Sequence, residues 1–512
     1  MRKQYLIGVD LGTSATKAAV YSLAGKLVAI ASRDVPIYTP MAGIVEQENN
    51  DFYLSAAETV RCCIQQSGID AREVAAIAFD SQMAGIGTID DEFIPATRFD
   101  SWLDMRCEPY IAQMNSIGGD LVTQLTGCAP TCDHGPKILW WMHERPQDFR
   151  RIAKFVTPSG YVAGKVAGLS AEQAFMDYTF IHFSGFSDSQ NFRWSNRLCD
   201  LFGLDAEKLP RIVSPWDVIG EFTSSAASEF GLAAGTPVVA GCGDTAASAL
   251  GAGIVLPGMV LDSAGTASIL AAATDKFVPD LENRAMLNMH SVIPGLYNSL
   301  AYIAGGGLAL RWYRDQFFNT TKGQTLPHAD DLYQQMSAAA LSIPPGSEGL
   351  YFSPHLGGRI CPSDSQMRGA WLGFSWGHTQ AHFFRAILEG VGFEYAYYLG
   401  ILKQLIPDLE LVEARVTGGG ANNSVWSQIK ANILDVPYQC LPQAEFGTWG
   451  CAMLAGKGVG LFDDLTETAL EHSQPIKDAI RPQPEIVQLY QPLVKRYLEM
   501  QTSLADLFHR LA

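Results

Sequence analysis

Long apolar runs are missing from this sequence: glycine or charge breaks every one well short of the roughly 20 residues that a bilayer-spanning helix needs. The opening stretch MRKQYLIGVDLG carries basic residues. Its apolar segment, Tyr5 to Val9, is too short for the core of a secretory leader, which takes about 7–15 residues. Positive charge is also scarce, with 36 Lys and Arg against 53 Asp and Glu for a formal net charge of −17. A surface that acidic repels phosphate backbones and anionic lipid. These shortages predict a cytoplasmic protein with no membrane and no nucleic-acid partner, although one local basic pocket for a nucleotide is still allowed.

Cysteines are present but not arranged for metal. The ten are scattered, and neither close pair, Cys62-Cys63 or Cys128-x3-Cys132, has His or Cys partners at zinc spacing, so they read as buried thiols. Two nucleotide signatures are absent as well. No G-x-x-x-x-G-K-[ST] occurs where a strand meets a helix, and no G-x-G-x-x-G fingerprint follows the glycines at 418–420. The first absence excludes a Walker loop; the second argues against a nicotinamide enzyme. What remains is ample for large cores: 512 residues, 47% hydrophobic and only 17% charged, enough for two large domains.

The pattern along the chain repeats. Residues 5–32 read as a strand (Tyr5–Val9), a turn Asp10-Leu11-Gly12-Thr13-Ser14, a strand (Thr16–Ser22), an Ala24-Gly25 turn and a strand (Leu27–Ser32). Half a chain later the opening recurs as Met259–Asp262, the turn Ser263-Ala264-Gly265-Thr266 and a strand Ala267–Ala273. The repeat predicts a duplication into two similarly folded α/β halves, residues 1–250 and 251–512, packed around a cleft. Between these landmarks the spacing predicts a helix over 52–66, a strand Val74–Phe79 running into Asp80-Ser81-Gln82-Met83, and a helix Lys137–Arg145. A short helix Leu204–Leu209 and a buried strand Pro237–Ala240 come next. In the second half are a long amphipathic helix Gln380–Gln404, a strand Leu411–Val416, a helix ending at Leu434, and a small-residue helix after Glu445.

Three segments carry chemistry. In Asp10-Leu11-Gly12-Thr13-Ser14, glycine lets backbone N–H groups approach phosphate, the hydroxyls of Thr13 and Ser14 add bonds, and Asp10 at the strand end can hold Mg²⁺ through water. Alone it reads equally as an ordinary hairpin; paired with Gly265-Thr266 across a cleft, it becomes a two-sided polyphosphate grip. Gly241-Cys242-Gly243-Asp244 sets one carboxylate among small residues before a helix, where it can accept the proton of an attacking hydroxyl or simply cap the helix. Gly418-Gly419-Gly420-Ala421-Asn422-Asn423 lets a flat nucleoside lie on bare backbone, or makes a tight strand–helix connection.

These pieces, in this order, resemble the FGGY carbohydrate kinases, xylulokinases most visibly, along nearly all of the chain. The matching residues are Asp10-x-Gly12-Thr13-Ser14-x-x-Lys17, Glu46-Gln47, Trp102-x-Asp104-x-Arg106, Gly243-Asp244-x-Ala246 and Gly265-Thr266. They continue through Gly349-Leu350-Tyr351-Phe352-x-Pro354, Arg385-Ala386-x-x-Glu389-Gly390, Gly418-Gly419-Gly420-Ala421 with Trp426-x-Gln428, and Glu445 with Gly450. The resemblance implies two actin-like (ribonuclease H-like) domains of the hexokinase and actin ATPase superfamily, ATP and Mg²⁺ as cofactors, and a homodimer. It implies phosphorylation of a hydroxyl on a small sugar or polyol such as xylulose or ribulose, with Asp244 as base. Gly12, Thr13, Ser14, Lys17, Gly265, Thr266, Gly419, Gly420 and Asn423 would then meet ATP, Asp10 the metal, and Gln82, Met83, Trp102, Asp104 and Asp244 the acceptor.

Departures leave the acceptor open. Xylulokinases carry Met-His where this chain has Met83-Ala84, so a sugar-contacting imidazole is missing. Gly357-Gly358-Arg359-Ile360-Cys361-Pro362 corresponds to a family segment with an acidic residue that is lost here. Such losses shift discrimination among acceptors, so a kinase of a modified sugar or signalling molecule is the alternative, with a non-catalytic actin-like protein behind it. His182 is a further candidate acceptor contact, while Trp140, Trp141 and Trp312 read as packing.

Overall fold

The computed structural model describes residues 3–265, 267–317, 329–441, 445–475 and 478–511. Two six-stranded sheets organise it. The first is built from β1 (Tyr5–Leu11), β2 (Ala15–Ser22), β3 (Leu27–Asp34), β4 (Val74–Ser81), β5 (Val218–Glu221) and β6 (Pro237–Gly243), in the order β5-β6-β4-β1-β2-β3. The second contains β7 (Met259–Ala264), β8 (Ser268–Thr274), β9 (Leu287–His290), β10 (Tyr297–Ile303), β11 (Glu413–Thr417) and β12 (Tyr438–Cys440), in the order β9-β10-β8-β7-β11-β12. In each, an antiparallel meander (β1-β2-β3, or β7-β8-β10) is extended by two strands parallel to its first (β4 and β6, or β11 and β12). The repeat seen in sequence is thus a repeat of topology, and the expected two-domain actin-like α/β class is what the chain adopts.

The centre of the first sheet is buried on both faces, which explains the unbroken apolar run of β1. Ile7, Val9 and Leu11 point into a core shared with α1 (Asn49–Ser67) and α2 (Pro158–Ala167), while Leu6 points into the opposite core. That second face is covered by α3 (Asp244–Gly251) and by a helix from the far half, α8 (Phe446–Gly458). The latter approaches backbone to backbone. A Cβ on Gly8 would lie 1.8 Å from the Thr448 carbonyl oxygen, and one on Gly450 would lie 2.1 Å from that of Ala247. Only glycine permits such contact, and the helix, apolar on every side, is buried almost throughout. The remaining helices that shape the site are α4 (Gly306–Phe317), α5 (Ala329–Leu341), α6 (Gln380–Leu405) and α7 (Ser424–Leu434).

Three strands run further than the apolar pattern predicts. β1, β4 and β6 continue to Leu11, Ser81 and Gly243, because the ladder carries Asp10 opposite Asp80 and Cys242 opposite Asp80. The expected helix at 204–209 is a correction. Only a three-residue turn forms there, Ala206–Lys208, capped by the Asp205 carboxylate on the Glu207 N–H. Pro210, which has no N–H, then prevents continuation.

Candidate active site

The carboxyl ends of three adjacent parallel strands converge in the first half, where ligands of open α/β sheets usually bind. Asp10 is the last residue but one of β1, Asp80 the last but one of β4, and Asp244 follows β6 as the first residue of α3. Asp80 is fully buried. Its Oδ2 accepts a bond from the Cys451 thiol at 3.2 Å, while Oδ1 has no partner among the described residues. Burial pushes Asp80 well above the usual carboxylate range, and the neighbouring Cys451, Asp10 and Asp244 push the same way. Those influences favour the protonated form of Asp80, which lies beside Asp10 in the ladder. Burial raises Asp10 too, opposed by the neighbouring Asp80 side chain and by the Lys17 charge.

Asp244 is half-buried, and its carboxyl is pushed up to about 7, first by burial and then by the charge on Asp10. The Thr245 N–H at 2.6 Å and its hydroxyl at 3.1 Å both donate to Oδ1 and pull the other way. The helix-cap alternative does not hold. Gly243 occupies the N-cap position, and no side chain caps the helix there. A half-buried carboxylate that titrates near neutrality is suited to take a proton.

Around this floor the other expected residues divide. Thr13 accepts a bond from the Trp102 indole N–H at 2.9 Å and donates to Gln82 Oε1 at 3.4 Å. Gln82 is tied to Gln47 at 2.8 Å, and Gln47 returns to the Thr13 carbonyl. Met83 lies against Gly243, where an added Cβ would fall 2.6 Å from its sulfur. Gly12 is half-buried beside Asp10, and Ser14 is exposed at the hairpin tip. Lys17, opposite Asp10 in the ladder, reaches Glu445 at 3.1 Å. Asp104 is not brought to this floor. It is fully buried, accepts the Val45 N–H at 2.7 Å and pairs in a fork with Arg106, which also holds Glu46. Trp141 is likewise buried, donating to Asp100, and Trp140 lies under the Arg106 guanidinium. His182 is fully enclosed beside Phe183.

The second half holds a cavity of about 940 Å³, ample for a nucleoside. It opens between two glycine-rich strand–helix connections, and its walls include Gly307, Arg311, Tyr333, Ser337, Gly419 and Asn423. Gly265 and Gly420 also border it. An added Cβ on Gly419 would meet nothing within 4 Å, so that surface is open, whereas one on Gly420 would strike Ala264 at 2.5 Å and Trp426 at 2.8 Å. Asn423 caps α7 through the Trp426 N–H at 3.1 Å and donates to Ser337 at 3.0 Å. Thr266 lies outside the described residues. Sequence reasoning missed Asp80, Arg311, Tyr333 and Ser337. The run Gly305-Gly306-Gly307 after β10 mirrors Gly418-Gly419-Gly420 after β11, and that signal would have found the second wall.

Residues 5–251 match the N-terminal domain of the FGGY family of carbohydrate kinases, and residues 261–459 match its C-terminal domain. The chain is 28% identical to a xylulose kinase of Bacillus subtilis (strain 168), over 98% of this chain and 98% of that one. It is 26% identical to an autoinducer-2 kinase of Klebsiella pneumoniae, covering 98% of this chain and 94% of the other. A crystal structure of gluconate kinase from Lactobacillus acidophilus superposes with a TM-score of 0.89 at 25% identity, over 99% of both chains.

Proposed function

The chain belongs to the FGGY family of carbohydrate kinases, and on that premise we propose that it moves the terminal phosphoryl group of ATP to a hydroxyl of a small sugar, polyol or sugar acid, with Asp244 as general base. The observation that carries this reading is the Asp244 carboxyl itself, half-buried just after the carboxyl end of β6 and raised to about 7. A group titrating there is unprotonated often enough to accept a proton at neutral pH and basic enough to hold it. Residues 1–250 carry the acceptor, and 251–512 the nucleoside in the cavity lined by Gly419 and Arg311.

The donor set at the strand ends suits a hard cation, with the Asp10 carboxylate and the hydroxyls of Thr13 and Ser14 gathered at one turn. Among the described residues no three His, Cys, Asp or Glu form a cage; Mg²⁺ bound through one carboxylate, waters and phosphates does not require one. When bound, Mg²⁺ would neutralise charge on the phosphates, with Asp10 as its protein anchor. Asp80 backs Asp10 from the neighbouring strand. Trp102 and Gln82 hold Thr13 at the turn, and Lys17 with Glu445 ties that turn's second strand to the helix arriving from the other half. Phosphoryl transfer depends chiefly on such positioning and on charge.

A second reading concerns the acceptor alone. Ala84 stands where xylulokinases place an imidazole, and relatives of comparable identity are named autoinducer-2 kinase and gluconate kinase. This favours an acceptor other than xylulose, a modified sugar or sugar acid among them. The test is ADP release from Mg·ATP against a panel of ketoses, aldoses, aldonates, tetritols, pentitols, hexitols and glycerol. Acceptor-dependent release from any of them supports the proposal. ATP binding with no release across the whole panel would point to a modified acceptor outside it or to a non-catalytic, nucleotide-regulated role.

A further inference from the structure

The strand that delivers Asp244 is irregular immediately before it. Between Val239 and Cys242, β6 carries one more residue than β4, and Gly241 sits at φ +75° with its Cα so close to β4 that a Cβ would lie 1.8 Å from the Phe79 carbonyl oxygen. This is a β-bulge, a common device for re-aiming the residues at the end of a strand. Beyond the bulge, the Gly243 N–H leaves the sheet and donates to the Thr179 hydroxyl at 2.9 Å. An N–H can only donate, so Thr179 must use its own proton elsewhere, and it gives it to Asp177 Oδ1 at 2.6 Å. The same oxygen accepts the Thr179 N–H at 2.9 Å, which locks the segment. Thr179 is fully buried and Asp177 is 2% exposed, so no water competes. Met83 covers the other side of Gly243.

We propose that Thr179 is a positioning residue for the phosphoryl transfer: through the chain Asp177–Thr179–Gly243 it fixes the backbone one residue ahead of Asp244 and so aims the base. The inference rests on Asp244 being that base. Gly243 has no side chain of its own with which to set the turn, and Asp244 has only Thr245 as a hydrogen-bond partner among the described residues. The direction of its carboxyl is therefore set by the backbone on which it stands. A buried hydroxyl with one donor and one acceptor bond is an economical anchor for it, because both bonds are directional and neither can be replaced by solvent.

Thr179→Val keeps the shape and removes both bonds; Thr179→Ser restores them. With the full-length chain and whichever of D-xylulose, D-ribulose, D-gluconate or glycerol turns over fastest, Thr179→Val should lower kcat about 10–10²-fold, with KM for ATP and acceptor within about threefold. Thr179→Ser should recover most of the loss, which a packing role for the threonine methyl group would not produce. Crystal structures of both variants provide a readout independent of any acceptor: the Asp244 carboxylate should be displaced in the valine variant and in place in the serine variant. An unchanged kcat in Thr179→Val, no recovery in Thr179→Ser, or an unmoved Asp244 would each overturn the proposal. If wild type turns over no acceptor, the two structures decide. Asp244→Asn run alongside separates the premises: full activity there would refute the base assignment and the catalytic role of Thr179 with it, whereas the position of residue 244 in the two structures tests the backbone anchor alone.

Discussion

Replacing Asp244 with asparagine should stabilise the folded protein at pH 8 and do little near pH 4. In the folded protein this carboxyl is pushed from 3.8 to about 7 by burial and then by Asp10. Its raised pKa favours the fold while the proton is held, and that advantage is lost as pH rises from the unfolded value through the folded one. Each tenfold change in proton affinity corresponds to about 1.4 kcal/mol, so a rise from 3.8 to about 7 sets an upper limit of roughly 4 kcal/mol. Partial solvent access to the half-buried carboxyl brings the expectation to about 2 kcal/mol. Asparagine keeps an oxygen to accept the two Thr245 bonds and has no charge to bury. The assay is the unfolding midpoint of wild type and variant from pH 5 to 8. The gap in favour of the variant should widen up to about pH 7 and then level off. A gap that ignores pH, or a variant less stable at pH 8, would refute the reasoning.

The same titration predicts that kcat/KM rises about tenfold per pH unit below neutrality and flattens above about 7, read from acceptor-saturation curves; a flat profile would contradict it. Gly450→Val should destabilise by about 1–3 kcal/mol or prevent folding, because its Cβ would sit 2.1 Å from the Ala247 carbonyl oxygen in the helix that carries Asp244. An unchanged melting midpoint would show that α8 does not pack so closely. Gly419→Val should raise the KM for ATP without altering the melting midpoint or the order of acceptor preference, since the new side chain meets nothing but the cavity. A change confined to the acceptor would mean that the cavity does not hold the nucleoside.

The duplicated plan was legible because its punctuation is local: Gly-Thr turns between strands of small and branched residues recur half a chain apart, and both sheets are built on them. Asp80 was not legible. A carboxylate inside a strand that is buried along its whole length reads as the strand's end, and only the ladder reveals that it lies beside Asp10. Asp104 was misleading for the opposite reason. Its spacing with Trp102 and Arg106 looks like a polyol-binding set, but its acceptor capacity is taken up by Val45 and Arg106. Several family-like motifs prove architectural in the same way. Glu389 accepts bonds from the Gly346 N–H, Ser347, Arg385 and Tyr490, and Gly390 makes room for the Phe352 carbonyl. Arg359, in the segment that lacks the family's acidic residue, finds its carboxylate on α6 instead. Although burial opposes it, Arg359 holds Glu394 down to about 2, helped by His355 and the Tyr497 hydroxyl. Arg311 and Tyr333 lie on helices whose pattern is merely amphipathic, and only their approach to the glycines at 418–420 gives them a place in the cavity wall.

The decisive comparison is turnover of Asp244→Asn beside wild type on the best acceptor, with ATP affinity measured for both by calorimetry. Loss of a positioned base should lower kcat by about 10²–10⁴-fold while ATP binds as before. Turnover within a few-fold of wild type, at equal ATP affinity, would show that the acceptor's proton leaves by another route and that the carboxylate at 244 is not the base.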